Sequence, residues 1–223
     1  TFEHCWPMPN WSPEQLKQLN SLRGYRNVFI AESQIAAWNV IPDETTRVIR
    51  HALDSHLFSP GNNERVNQIL CVVNDYKNRG SILGFQDYLE ITNGLPVRRI
   101  GDTPGFSKSA KDVNDLVNEY RTSTIFINTS IFSPIPMSLL EAMSCSCACL
   151  SYSACEVPYY IQDGFNGLLY NDIKEAKEKV RLLLNDRDLR EILGSNARQT
   201  IIEKCNLERF TREWNEVFNE VIS

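Results

Sequence analysis

Only three of the 223 residues are histidine, and the seven cysteines nowhere form a Cys-x-x-Cys pair, so no zinc-type ligand set is expected. Positive charge is also scarce. The 23 lysines and arginines against 28 acidic residues leave a net charge of -5, which gives no general attraction to nucleic acid or to an anionic membrane. No apolar run approaches the roughly 18 to 20 residues that span a bilayer, and no signal-peptide pattern is visible. A cytoplasmic protein without nucleic-acid partners is the expectation. The crowded thiols Cys145, Cys147 and Cys149 then read as reduced and buried. Strand alternation puts Cys147 and Cys149 on one face, while Cys145 ends a helix. The chain begins with Thr1 and not Met, so a fragment or processed product is expected.

What is present is an ordinary globular composition, 42% hydrophobic and 23% charged, in a chain long enough for one large domain, or one domain and part of another. Residues 1–12, with Trp6, Pro7, Pro9 and Trp11, read as irregular. Ser12 and Pro13 start a helix carrying Leu16, Leu19 and Leu22, with Gly24 as its stop. A strand over 28–31 follows, then a short segment capped by Ser33, and 42–46 reads as a linker. From residue 68 onward, apolar strand-like runs alternate with helical periodicity. Strands are expected over 68–73, 95–100, 124–130, 147–151 and 168–170. Helices are expected over 81–91 and 112–120, from Pro136, from Asp172, over 188–205 and over 206–222. The last carries Phe210, Trp214, Val217, Phe218 and Val221 as one stripe. This pattern predicts an α/β fold, a doubly wound parallel sheet of the Rossmann-like type.

In such a sheet ligands bind beyond the carboxyl ends of the strands. Two loops there carry chemistry. In Ser133-Pro-Ile-Pro-Met-Ser-Leu-Leu-Glu141, the prolines end a strand and set up a helix start. The free N–H groups of that start suit an anion such as a diphosphate. Glu141, about one turn further on, can accept from ribose hydroxyls. In Asn74-Asp-Tyr-Lys-Asn-Arg-Gly80, Lys77 and Arg79 supply cations at the end of the neighbouring strand. Gly101-Asp-Thr-Pro-Gly105 is a turn that permits close backbone approach to a ligand.

Glu141-Ala-Met-Ser-Cys145, followed by Glu156-Val-Pro-Tyr-Tyr-Ile-Gln-Asp-Gly-Phe-Asn-Gly-Leu-Leu-Tyr170, resembles the donor-site signature of retaining glycosyltransferases of the GT-B fold. This is the large group 1, or family 4, type that includes sucrose and trehalose-phosphate synthases. Its pattern runs S-x-x-E-G-x-P-x-x-x-L-E-A-M-A-C-G-x-P-V, then G-x-P-E-x-I-x-D-G-x-x-G-L-L-V. The segment 48–60 is similar to that family's V-I-P-N-G-V-D-x-x-x-F-x-P, with His51 at its Asn. The loop 74–80 resembles its G-R-x-x-x-x-K-G, with Asn74 at the Arg and Arg79 at the Lys. The first glutamate of the pattern falls on Ser133, whose hydroxyl carries no charge, and a Gly-Gly turn falls on Cys155 and Glu156.

The resemblance implies the C-terminal, nucleotide-sugar-binding half of a GT-B glycosyltransferase, transferring a sugar with retention to an unspecified acceptor. Residues 1–46 would be the tail of an acceptor domain plus linker, with the rest of that domain missing. Residues 47–205 would be the donor domain and 206–223 a closing helix that crosses back. The implied donor-binding residues are Asn74, Lys77, Arg79, Ser133, Pro134, Pro136, Met137, Ser138, Leu139 and Glu141. No catalytic group is assigned in this half beyond the weak candidate Ser133, and no metal or cofactor is implied. Such a half binds nucleotide but transfers little alone. A nucleotide-sugar epimerase on the same fold and a non-catalytic binding or scaffolding module are the alternatives.

Overall fold

Apolar residues of the main strands alternate between the two sides of one sheet. Leu70, Phe126, Cys147 and Cys149 enter one core cluster, whereas Ile69, Cys71, Ile125, Ile127, Ala148 and Leu150 enter the other. Burial on both faces is what a covered parallel sheet requires. The computed structural model describes residues 2–3, 11–21, 24, 26–62 and 64–222. Trp6, Pro7, Pro9 and Leu22 therefore lie outside the described residues.

The chain runs β1 (Phe2–Glu3), α1 (Pro13–Asn20), β2 (Asn27–Phe29), α2 (Glu32–Ala37) and β3 (Thr46–Val48), then β4 (Val66–Val72), α3 (Gly80–Leu83), α4 (Phe85–Ile91), β5 (Val97–Ile100) and α5 (Val113–Thr122). It continues through β6 (Ser123–Asn128), α6 (Met137–Ser144), β7 (Ala148–Tyr152), α7 (Val157–Tyr160) and β8 (Leu168–Tyr170) to α8 (Ile173–Asn185), α9 (Arg187–Lys204) and α10 (Leu207–Ile222). Strands β5-β4-β6-β7-β8 form one wholly parallel sheet, and β1-β2-β3 form a second, smaller one. Val117 and Tyr120 of α5, with Leu139, Leu140 and Met143 of α6, cover one face of the main sheet. Tyr88 and Ile91 of α4, with Ala176, Val180 and Leu183 of α8, cover the other. This is the doubly wound α/β arrangement expected. The chain leaves β4 toward β5 on one side and returns as β6 on the other, so the switch point lies between β4 and β6.

Side-chain caps set several of the helix starts. Asp112, Asp172 and Asp186 accept the N–H of the residue three positions on, at 2.8 to 2.9 Å, and Ser12 does the same for Gln15 at 3.2 Å. The helix expected over 81–91 is two helices. Gly84 sits between them at φ +68°, where an added Cβ would lie 2.2 Å from the carbonyl oxygen of Thr129. The helix from Pro13 stops at Asn20, short of the expected Gly24. Ser33 is not a cap: α2 begins at Glu32, after Ala31.

Helix α10 crosses back onto the small sheet. Phe210, Trp214 and Val217 pack with Val28 and Ile49, and Glu220 pairs with Arg26 at 2.7 Å and Arg47 at 3.1 Å. Phe218 and Val221 remain more than half exposed, because three short strands offer too little surface to cover the whole stripe. Strand β3 begins at Thr46, so the expected linker runs directly into this sheet. Among the described residues, no helix is long and apolar enough to cross a membrane.

Candidate functional site

Four loops leave the carboxyl edge of the main sheet, and hydrogen bonds tie them into one surface. The carbonyl of Ile82 accepts from the N–H groups of Ile131 and Phe132 at 2.8 and 3.1 Å. The Thr129 hydroxyl donates to the Leu83 carbonyl at 2.8 Å. These bonds hold the loop after β6 against the end of α3. On the other side, Glu156 N–H donates to the Pro134 carbonyl at 3.0 Å. The loop after β5 is held from β4: Asn74 Oδ1 accepts the Asp102 N–H at 2.8 Å, and Asp75 N–H donates to the Asp102 carbonyl at 2.7 Å. Gly101, at φ +130°, lets the two loops meet, since a Cβ there would lie 2.0 Å from the Val73 carbonyl oxygen. Its lack of a side chain serves this contact between loops.

The expected anion-facing helix start is present. Pro136 occupies the N-cap of α6, with φ -68° and ψ 121°. Leu139 N–H donates to the Pro136 carbonyl at 3.1 Å. Among the described residues, the N–H groups of Met137 and Ser138 have no acceptor. They form the open end of the helix dipole. Ser133, Met137 and Ser138 are half-buried, whereas Pro134 and Leu139 are buried. The side chain of Leu139 belongs to the core beneath the site.

Lys77 and Arg79 stand on the exposed loop after β4. Lys77 Nζ donates to the Pro104 carbonyl at 3.3 Å and leans over the Phe106 ring at 6.0 Å. The backbone of Arg79 begins α3, and its guanidinium meets no carboxylate among the described residues. The structure thus brings the Arg79 and Ser133–Ser138 loops together across the switch point. It places Asn74 and Lys77 on the side toward β5.

Glu141 lies one turn into α6, on the face toward α5, and its Oε2 accepts the hydroxyl of Tyr120 at 2.7 Å. Tyr120 is wholly buried against Phe58 and Phe126. Burial raises the Glu141 carboxyl above its ordinary value, and the hydrogen bond from Tyr120 works against that rise. Burial, together with the neighbouring Glu141 charge, holds the Tyr120 hydroxyl well above its usual range, so it stays a donor.

Three participants escaped the sequence reading. Tyr76 backbone N–H donates to Thr103 Oγ1 at 3.0 Å, and its hydroxyl pairs with that of Thr129, so one buried residue joins three loops. Its only signal was a large aromatic in an otherwise polar loop. Tyr120 read simply as a helix end. Glu156 drew attention as an oddity of the pattern, not as a buried group. The thiols, in contrast, behave as expected: burial pushes Cys145 up to about 12 and Cys147 up to about 11, so neither forms thiolate near neutral pH.

Residues 102–200 match the family model described as glycosyl transferases group 1. A sulfoquinovosyl transferase of Arabidopsis thaliana is 29% identical over 119 residues, which is 51% of this chain and 22% of that protein. The match therefore spans less than a quarter of that relative's length. Among solved structures, the Anabaena Alr3699/HepE protein, determined with UDP and glucose, aligns with TM-score 0.82 at 14% identity, covering 98% of this chain and 70% of its own. Sucrose-phosphate synthase of Thermosynechococcus elongatus aligns with TM-score 0.78 at 15% identity, covering 96% and 63%. The fold is that of GT-B glycosyltransferases.

Proposed function

We propose that this chain, whose residues 102–200 match the glycosyl transferases group 1 family model, is the donor-binding half of a retaining glycosyltransferase that uses a nucleotide-diphosphate sugar. The observation that carries the reading is the bond at the switch point between the loop leading to α6 and the helix that follows Arg79, Ile131 and Phe132 N–H to the Ile82 carbonyl, with the N–H groups of Met137 and Ser138 left open. Glu141 lies one turn deeper on the same helix. The UDP in the Anabaena structure supports a nucleotide ligand.

In this reading the α6 start and Arg79 neutralise the diphosphate and stabilise it as a leaving group, with Lys77 as a second cation. Glu141 accepts from the ribose hydroxyls. The acceptor and any group acting on it lie on a part of the protein beyond this chain, so the chain alone binds nucleotide and transfers little.

The test is calorimetric titration of the chain with UDP, GDP and ADP at millimolar concentration. Binding of at least one is expected, and silence from all three would remove the proposal. A charge-assisted contact contributes about 1.5–3 kcal/mol, so Arg79→Glu should weaken binding at least about tenfold.

A second reading, a non-catalytic nucleotide-binding module, is favoured by Ser133, which places a neutral hydroxyl where the family pattern has a carboxylate. In the full-length enzyme with its own acceptor, Ser133→Ala should cost turnover roughly 1 kcal/mol, the value of one neutral hydrogen bond. Unchanged turnover would show that Ser133 has no donor role. An intact protein with nucleotide affinity and no transfer to any acceptor would select the second reading.

A further inference from the structure

The two sheets meet at a buried carboxylate. Glu156, in the turn after β7, is 7% exposed, and both of its oxygens are engaged. Oε1 accepts the Ser33 N–H at 3.1 Å and the Ser33 hydroxyl at 2.8 Å, and Oε2 accepts Arg50 Nε at 3.4 Å. Arg50 extends the network to Glu32 at 3.1 Å and lies 4.1 Å from the ring centroid of Tyr159. Glu32 and Ser33 form the first turn of α2. The first turn of this helix is thus satisfied by a residue 123 positions further along the chain.

The same turn holds the loop that faces the proposed diphosphate. Glu156 N–H donates to the Pro134 carbonyl, and the Cys155 thiol lies 3.9 Å from the Ile131 carbonyl oxygen. Cys155 itself is kept at φ +54°, a conformation that costs a residue with a side chain about 1–2 kcal/mol. Surrounding contacts must hold it there. A buried carboxylate deprived of its partners is expensive and moves toward water. Any such movement of Glu156 would withdraw the donor on which the Pro134 carbonyl rests.

We infer that Glu156 is a positioning residue: its bonds to Ser33 and Arg50 let the docked small-sheet unit set the loop over 131–136, and with it the open start of α6. Binding at that loop and docking of the 27–37 segment are then thermodynamically linked, each favouring the other. The link to a nucleotide rests on the donor-site reading above; the link to the loop does not. The pattern that this segment resembles has glycine at this place, which could make no such bond.

Hydrogen exchange of the full chain, followed by mass spectrometry, tests the inference alongside UDP, GDP and ADP titration. Glu156→Gln keeps the side-chain volume and an acceptor for Ser33 but removes the ion pair. Arg50→Met removes the same pair from the other side, and Ser33→Ala is the mildest variant. Glu156→Gln and Arg50→Met should each speed exchange over 131–136 and weaken diphosphate binding on the order of fivefold. The double variant should be no worse than Arg50→Met alone, since both changes remove the Glu156–Arg50 pair and Arg50→Met also gives up Glu32 and the Tyr159 ring. A purely structural bridge would lower the melting temperature and loosen α2 while leaving 131–136 unchanged. That outcome would overturn the inference. Faster exchange over 131–136 in a protein whose wild type binds no diphosphate would retain the positioning role and overturn the donor-site reading instead.

Discussion

Glu141→Gln should make the unliganded chain more stable near pH 7 while stripping it of most of its affinity for a nucleoside diphosphate. The carboxyl is raised above 4.5 chiefly by burial, with the Tyr120 hydroxyl pulling the other way. A group raised in the folded state contributes stability that is fully present below its unfolded value. That stability is lost as pH rises through the folded value. Above its folded value the wild type bears an ionised carboxylate in a half-buried place, and glutamine does not.

The advantage of the variant should be greatest near pH 7, shrink as pH falls through the raised folded value and be gone below 4.5, which denaturant melts at several pH values would show. Binding should fall by one to two orders of magnitude if the carboxylate takes ribose hydroxyls, since charged hydrogen bonds contribute about 1.5–3 kcal/mol. A variant that is less stable at every pH would mean that Glu141 exists to satisfy Tyr120. A variant with undiminished affinity would remove the ribose role.

Gly84→Ala should cost about 2–4 kcal/mol of folding stability, in the range of mutations that force a steric clash at a special backbone conformation. The new Cβ would lie 2.2 Å from the Thr129 carbonyl oxygen, and φ is +68°. The damage should not stay local. Thr129 opens the loop that carries Ser133 and leads to α6, and Ile82, two residues before Gly84, accepts the N–H groups of Ile131 and Phe132. Loss of diphosphate affinity should therefore accompany loss of stability.

Gly94→Ala is the control. Gly94 has φ +74° but nothing within 4 Å of an added Cβ, so it reports only the conformational cost, about 1–2 kcal/mol. Equal destabilisation in the two variants, by denaturant unfolding, would show that the approach of α3 to β6 is looser than the contact implies.

The layered α/β plan was legible because it rests on short-range regularities. The strand of Ile69, Leu70 and Cys71 announces itself by apolar density. Asp112 and Asp172 cap their helices from within one turn. Pro136 stands where the chain stops being strand and starts being helix. Lys77 and Arg79 were legible as candidates for the same reason: each lies a few residues past a strand end, and a parallel sheet gathers those ends along one edge; Glu141 was legible from its place one turn into the helix that follows the next strand.

What escaped were features decided by a partner far along the chain. The periodicity of 81–91 is helical throughout, yet the helix breaks at Gly84 because β6 approaches it there. Ser33 has the chemistry of a cap and sits one residue inside its helix, because Glu156 supplies the acceptor from another layer. Tyr120 and Glu141 are each unremarkable locally, and their hydrogen bond exists only because α5 and α6 pack on the same face of the sheet.

The sequence by itself thus determined most strands and helices of the main sheet, the order in which they alternate, and the edge on which the candidate residues collect. Periodicity, capping and strand ends are properties of neighbours in the chain. The tertiary structure alone decided which of those side chains are spent on holding loops together, as Asn74 and Tyr76 are, and which are left facing the open edge, as Arg79 is. That choice depends on distances between residues that only packing brings within reach.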